Sequence, residues 1–141
     1  LNTHDMPTFA AFWQGLDIQD REALGLLDRA GVAREAKARQ AVKGALADYL
    51  RGLGWLKGSQ EDAQAVLRAC LYFLAASRAR LVLVNLEDLW LETEPQNTPG
   101  TLTERVNWRR KASYTLEEFS KMPQVVEVLG EIDRIRRRVR L

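Results

Sequence analysis

Scarce residue types set the first limits on this chain. Among its 141 residues there is one cysteine, Cys70, so no internal disulfide can form. That fits a reducing compartment, and the cytoplasm is the expected location. The only histidine is His4. No metal-ligand spacing, phosphate-binding glycine loop or Ser/His/Asp set is visible, and neither a metal nor a cofactor is expected. No apolar run approaches the ~20 residues that span a bilayer, so no membrane partner is expected. Leu1–Asp5 has no basic n-region and no apolar h-region follows it. Charge of one sign is missing too. The net charge is +2 and the isoelectric point about 8.9, too balanced to imply a nucleic-acid partner. There is no internal repeat and no low-complexity tract.

What is present is 46% apolar and 28% charged, the composition of a soluble globular protein. The length suffices for one domain with its own core. The chain opens with Leu1 rather than Met, directly on the polar run Asn2-Thr3-His4-Asp5. The expectation is a segment of a longer polypeptide.

Residues 1–15 read as the end of a strand or a loop, followed by the aromatic segment Phe9–Trp13, with Pro7 able to sit in a first helical turn. Asp17 and Asp20 are candidate caps for a short helix over 21–27. The spacing predicts a helix over 33–53, with Val42, Leu46, Tyr49, Leu50 and Leu53 on its apolar face. Ser59 is the expected cap of a second helix running to about Ser77, apolar on nearly all sides and so buried. Leu81–Leu86 is a continuous Val/Leu-rich run, which reads as a strand buried on both faces. A polar loop with Pro95, Pro99 and Gly100 follows over about 92–110. Thr115 and Glu118 form a capping-box pattern. A last helix starts near Pro123, with a stripe of Val125, Val128, Leu129, Ile132, Ile135 and Val139. It ends in the basic run Arg134–Arg140, within which Arg136-Arg137-Arg138 is expected to be a solvated face. Cys70 is expected in the core.

Three segments carry chemistry. In Thr3–Thr8, His4 beside Asp5 can hydrogen-bond a ligand, although residue types alone fit a surface turn as well. In Glu94–Thr101, Asn97 and Gln96 offer a donor and an acceptor together, which vicinal sugar hydroxyls require. Two prolines stiffen that loop, although a solvated Pro/Gly turn has the same composition. In Val106–Lys111, Trp108 between basic residues suits nucleic acid or phosphate. It equally suits a tryptophan anchored in a core while the arginines pair carboxylates.

Taken in order, these segments resemble one family. Thr3-His4-Asp5-Met6-Pro7-Thr8, Phe12-Trp13, Gly15-Leu-Asp17 and Leu24-Gly25-Leu26 resemble the late catalytic segment of bacterial 4-α-glucanotransferases. Asn85-Leu-Glu-Asp88-Leu, Glu94-Pro-Gln-Asn97-Thr-Pro-Gly-Thr101 and Asn107-Trp-Arg-Arg-Lys111 are similar to that family's closing signature. The resemblance covers essentially the whole chain, with the helical part over 17–77 least diagnostic. Met6-Pro7 stands where many relatives have Asn-Asp.

The resemblance implies an α/β fold, the C-terminal part of a (β/α)8 barrel, mostly helical here with one or two parallel strands. Residues 1–141 would comprise the end of strand seven, a helical insertion over 17–77, strand eight over 80–86, an active-site loop over 92–111 and C-terminal helices over 115–141. It also implies transfer of α-1,4-glucan segments between maltodextrins by a retaining double displacement. The nucleophile and acid/base would lie upstream of Leu1, on the remainder of the barrel, which is the expected partner together with the glucan. Asp5 matches the third essential carboxylate, which stabilises the transition state, and His4 the adjacent hydroxyl-binding histidine. Asn97 would reach the donor sugar, and Pro99 and Gly100 would shape the pocket wall. His4, Asp5 and Asn97 should then line one polar cleft, with Asp5 and Asn97 within roughly 10 Å, the span of a glucose unit and its hydrogen bonds. Trp108 should be largely buried behind the loop, with Arg109 or Arg110 on a carboxylate. The competing expectation is a non-catalytic α-helical interaction module with a basic C-terminal helix. A weak RNA binder using Trp108–Lys111 is a third.

Overall fold

The computed structural model describes residues 2–59 and 61–139. Leu1, Gln60, Arg140 and Leu141 lie outside the described residues, and with them the last residue of the expected basic run and the end of the expected C-terminal segment. Six α-helices are present among the described residues: α1 Phe9–Gln14, α2 Leu16–Ala23, α3 Arg29–Gly52, α4 Ala63–Ala75, α5 Leu116–Phe119 and α6 Pro123–Val139. A 3-10 helix, Leu86–Trp90, lies between α4 and α5.

The chain is mostly helical, as expected, but no strand occurs among the described residues. Residues 81–85 carry no regular backbone pairing, and Leu86 already belongs to the 3-10 helix. A strand needs a neighbouring extended segment for its N–H and C=O groups, and none accompanies it here. Coverage is also one-sided: Leu81 and Leu83 are exposed while Val82 and Val84 are half-buried. Side chains of extended backbone alternate sides, so the odd-numbered leucines face away from the helices.

The helix boundaries follow capping chemistry. Thr8, not Pro7, precedes α1, its hydroxyl accepting from Ala11 N at 3.2 Å. Gly15 adopts the left-handed conformation (φ 78°), ends α1 and lets α2 begin at once. The expected helix over 21–27 is therefore displaced to Leu16–Ala23, and Asp17 and Asp20 lie inside it rather than capping it. Asp28 caps α3 by accepting from Gly31 N at 2.7 Å. The helix thus starts four residues before the expected 33. Gly31 fits its first turn because a Cβ there would meet Asp28 Oδ1 at 3.0 Å. Asp62, not Ser59, caps α4. Thr115 and Glu118 do form a capping box at α5.

Helix α4 is the centre of the fold and packs on α1, α3 and α6. Its Val66, Leu67, Ala69, Cys70, Leu71 and Ala75 are all buried, consistent with an apolar sequence on nearly every side. Helix α6 contributes Val125, Val128, Ile132 and Ile135, the core of its expected stripe. Helix α3 differs from expectation: Ala47 and Leu50 are buried, but Val42, Tyr49 and Leu53 are exposed. The small Ala47 allows close approach to the core, and the larger residues of the proposed face sit to its side. Burial pushes the Cys70 thiol up to about 11.

Basic side chains close the helix ends. Lys43 donates to Trp13 O at 2.9 Å, and Arg39 donates to Phe12 O, which also accepts from Gly15 N, so both carbonyls near the end of α1 are satisfied. Arg39 also forms a two-point pair with Asp17, both contacts at 2.8 Å. Arg136 is not the solvated residue expected of the basic run. It is half-buried and donates to Ser77 O at 3.0 Å and Ala79 O at 2.6 Å beyond the end of α4. Arg137 and Arg138 are exposed.

Candidate functional site

Two loops meet at the site. The first is the turn Thr3–Thr8 ahead of α1, closed by Met6 N donating to Thr3 O at 3.1 Å. It presents His4 and Asp5 to solvent. The second runs from the end of the 3-10 helix to α5 and carries Asn97.

The second loop lacks regular structure yet is closely braced. Thr98 N donates to Asn107 Oδ1 at 2.9 Å, while Asn107 Nδ2 donates to Thr101 O and Oγ1, each at 3.0 Å. Trp108 N donates to Gln96 O at 2.9 Å. Residues 96–98 and 107–108 thus form a neck, and Thr98–Thr101 is a tight turn, with Thr101 N to Thr98 O at 3.3 Å. Gly100 takes φ 84° in that turn, the position of a type II turn that requires a positive φ, with Pro99 before it.

A second brace fixes the loop to the helices. Arg110 spans Glu87, with contacts of 2.8 Å to each carboxylate oxygen, and reaches Glu92 at 3.5 Å. Gln96 Nε2 donates to Glu87 Oε2 at 3.1 Å. The bond to Glu87 raises the Arg110 pKa. Burial alone would raise the Glu92 pKa, but donors from Ser113, Glu94 N and Thr93 N and the charge of Arg110 hold it below the usual carboxylate range. The expected arginine–carboxylate pair is therefore present and uses Arg110. Arg105 pairs with Asp20 and ties the loop to α2.

Between the two loops, Asn97 Nδ2 donates to Asp5 Oδ1 at 2.6 Å, across 92 positions of sequence. His4 Nε2 lies 3.4 Å from Asp5 Oδ2. Asp5, His4 and Asn97 are thus brought together, well inside the expected 10 Å. Pro99 and Gly100 are exposed at the neighbouring turn and give it shape. Trp108 contradicts expectation. It is 60% exposed, its backbone is left-handed at φ 58°, and its ring centroid lies 5.1 Å from that of His4. The aromatic residues holding the far end of the loop are instead Trp90, Tyr114 and Phe119.

One anchor had no role assigned from sequence. Asp88 is 2% exposed and its Oδ1 accepts from Phe9 N at 2.9 Å and Asn2 Nδ2 at 3.3 Å. Burial pushes its pKa up, and the two donors oppose that shift. The signal in the sequence was only the adjacency of two acids, Glu87 and Asp88, just after Asn85, which caps the 3-10 helix.

A carboxylate, an imidazole and a carboxamide side by side, next to an open indole, have the donors and acceptors that bind vicinal hydroxyls. No group of His, Cys, Asp and Glu among the described residues has the makings of a metal site. No described helix is long and apolar enough to cross a membrane. The surface hollows beside Arg136, lined by Arg78–Val82 and parts of α6, include none of the site residues.

Such a set of groups can hold sugar hydroxyls, and comparison with known proteins gives the family. Residues 1–116 match the family profile of glycoside hydrolase family 77, described as 4-alpha-glucanotransferase. The chain is 34% identical over 110 residues to a 4-alpha-glucanotransferase of Mycobacterium tuberculosis (strain ATCC 25618 / H37Rv), covering 77% of this chain and 15% of that protein. The same figures hold for the protein of Mycobacterium bovis (strain ATCC BAA-935 / AF2122/97). Identity to the 4-alpha-glucanotransferase of Haemophilus influenzae (strain ATCC 51907 / DSM 11121 / KW20 / Rd) is 31% over 123 residues, covering 82% and 18%. The chain belongs to the 4-alpha-glucanotransferase family, and it spans less than a fifth of the length of these curated relatives.

Proposed function

We propose that the full-length protein transfers α-1,4-glucan segments between maltodextrins, with retention, and that this chain supplies part of its sugar site. In such a reaction one carboxylate attacks the anomeric carbon while a second protonates the departing glycosidic oxygen. The 4-hydroxyl of another sugar then displaces the first carboxylate and returns its proton to the second. In this reading those two carboxylates come from parts of the full-length protein outside this chain. Asp5 is the third carboxylate: it binds ring hydroxyls and stabilises the positive charge that develops on the sugar. His4 and Asn97 bind neighbouring hydroxyls, and the Pro99-Gly100 turn bounds the pocket.

The observation that carries this reading is the Asp5–Asn97 hydrogen bond. It joins two segments singled out for sugar chemistry, in a chain whose family profile is that of the glucanotransferases. A helical interaction module gives Asn97 no reason to meet His4 and Asp5. The basic C-terminal helix that such a module would use has Arg134, Arg136 and Arg137 engaged within the chain. In the same reading, residues 81–85 run beside the rest of the barrel, which covers Leu81 and Leu83. Their alternating exposure supports this.

The test is to incubate the full-length protein with maltotriose. Glucose and maltodextrins longer than the substrate should accumulate together. Release of short sugars with no longer product would sink the transfer reading. The 141-residue chain alone should leave maltotriose unchanged.

A further inference from the structure

We propose that the dipeptide Glu87-Asp88 is the positioning hub of the site, Asp88 fastening the His4–Asp5 turn and Glu87 the Asn97 loop. The inference rests on the glucan-transfer reading for its effect on rate, but its structural half stands alone. Successive residues of a 3-10 helix project about 120° apart, so two neighbouring side chains on Leu86–Trp90 can serve two different loops.

Asp88 closes the first loop at its base. Asn2 and Phe9 flank the turn Thr3–Thr8, and both donate to the same oxygen, Asp88 Oδ1, at 3.3 and 2.9 Å. Asn2 Nδ2 also reaches Pro7 O at 3.2 Å, which draws the turn shut. A buried carboxylate is costly unless hydrogen-bonded. Among the described residues, those two loop-end donors are the hydrogen-bond partners of the Asp88 side chain.

Glu87 closes the second loop. It accepts from Gln96, next to Asn97, and holds Arg110, two residues past Trp108. The backbone pair Trp108 N to Gln96 O carries that restraint across the neck of the loop. The two loops are therefore joined at the base by one rigid dipeptide and at the tip by the Asp5–Asn97 bond. Reacting groups need placement to about half an ångström, and an error of about 1 Å can cost on the order of 100-fold in rate. Without the hub, the Thr3–Thr8 turn would lose its fastening to the 3-10 helix, and the Asn97 loop would keep its Arg105–Asp20 tie to α2 but lose the one beside Asn97.

The experiment uses the full-length enzyme with Asp88→Ala, Asp88→Asn and Asn2→Ala. It reads hydrogen exchange over Thr3–Thr8 and the kcat and KM of maltotriose disproportionation. Asp88→Ala should speed exchange of that turn about tenfold while α4 and α6 keep wild-type protection. Its kcat should fall by roughly 30- to 100-fold with KM changed less than about threefold. Asp88→Asn keeps an oxygen where Oδ1 stands, so it should recover most of the rate and the slow exchange. If Asp88→Ala does not fold, Asn2→Ala removes one fastening from a half-exposed position and should give about a tenfold loss of kcat. Unchanged exchange over Thr3–Thr8 in folded Asp88→Ala or Asn2→Ala would overturn the hub. So would an Asp88→Asn variant as impaired as Asp88→Ala. Faster exchange with an unaltered kcat would leave the clamp intact and instead refute the role of His4 and Asp5 in transfer.

Discussion

Replacing Asp5 with asparagine in the full-length enzyme removes one negative charge and almost no volume. Asp5 Oδ1 accepts the Asn97 amide at 2.6 Å, and the oxygen of the new carboxamide can keep that bond. The other position, now an NH2 group, faces His4 where Oδ2 lay 3.4 Å from Nε2. The loop contact therefore survives while the charge does not. A unit charge about 5 Å from a developing positive centre, at an effective dielectric of about 20, is worth about 3 kcal/mol. In the proposed transfer that charge appears on the sugar only as the bond breaks, so the loss should fall on the transition state rather than on ground-state binding. The expected result is a kcat lowered by roughly two decades, with KM changed by less than about threefold. Initial rates of glucose release from maltotriose across a range of concentrations separate the two. A variant with kcat within a few-fold of wild type would refute the electrostatic argument and reassign Asp5 to shaping the turn.

Leu50→Ala opens a cavity where a side chain that is 1% exposed now sits, and should cost about 2–5 kcal/mol, read as a lower urea midpoint. Cys70, with its thiol pushed up to about 11, should resist iodoacetamide at pH 8 and react only after denaturant is added. An unfolded thiol ionises near 9 and the buried one only near 11, so the unfolded state sheds its proton first. Stability should fall on the order of 2–3 kcal/mol as pH rises from 9 to 11. Arg110→Ala leaves Glu87 and Glu92 without their countercharge at 14% and 11% side-chain exposure. It should weaken the loop by about 3 kcal/mol, seen as faster hydrogen exchange over 92–111 with α4 unaffected.

Local signals in the sequence gave the helices but not always their ends. The stripe of α6 and the Thr115–Glu118 box depend on neighbours a few residues away, and both were legible. The start of α2 was not, because Gly15 reads as punctuation until its left-handed turn is known. The apolar run 81–86 shows the limit of hydrophobicity: it says that a segment wants cover, not that a strand forms there. Trp108 failed for a related reason. Its size suggested a core anchor, but it sits at the neck of the loop, where its N–H bonds Gln96 O, its backbone is left-handed and its ring is exposed. The Asp5–Asn97 contact spans 92 positions, beyond any periodicity, and only the order of three motifs pointed to it. Asp88 stands within a sequence motif that points to no role for it. Its partners Asn2 and Phe9 lie 86 and 79 positions away, and nothing local distinguishes it from a solvent-facing acid.

The central claim is that His4, Asp5 and Asn97 form one sugar-binding site. The most direct measurement is a crystal structure of the full-length Asp5→Asn enzyme soaked with a maltodextrin too slow to turn over. The account predicts a single glucose unit with hydroxyls within about 3 Å of the side chains at positions 4, 5 and 97, close to the ring of Trp108. A sugar bound elsewhere, with His4 and Asn97 facing only solvent, would contradict it.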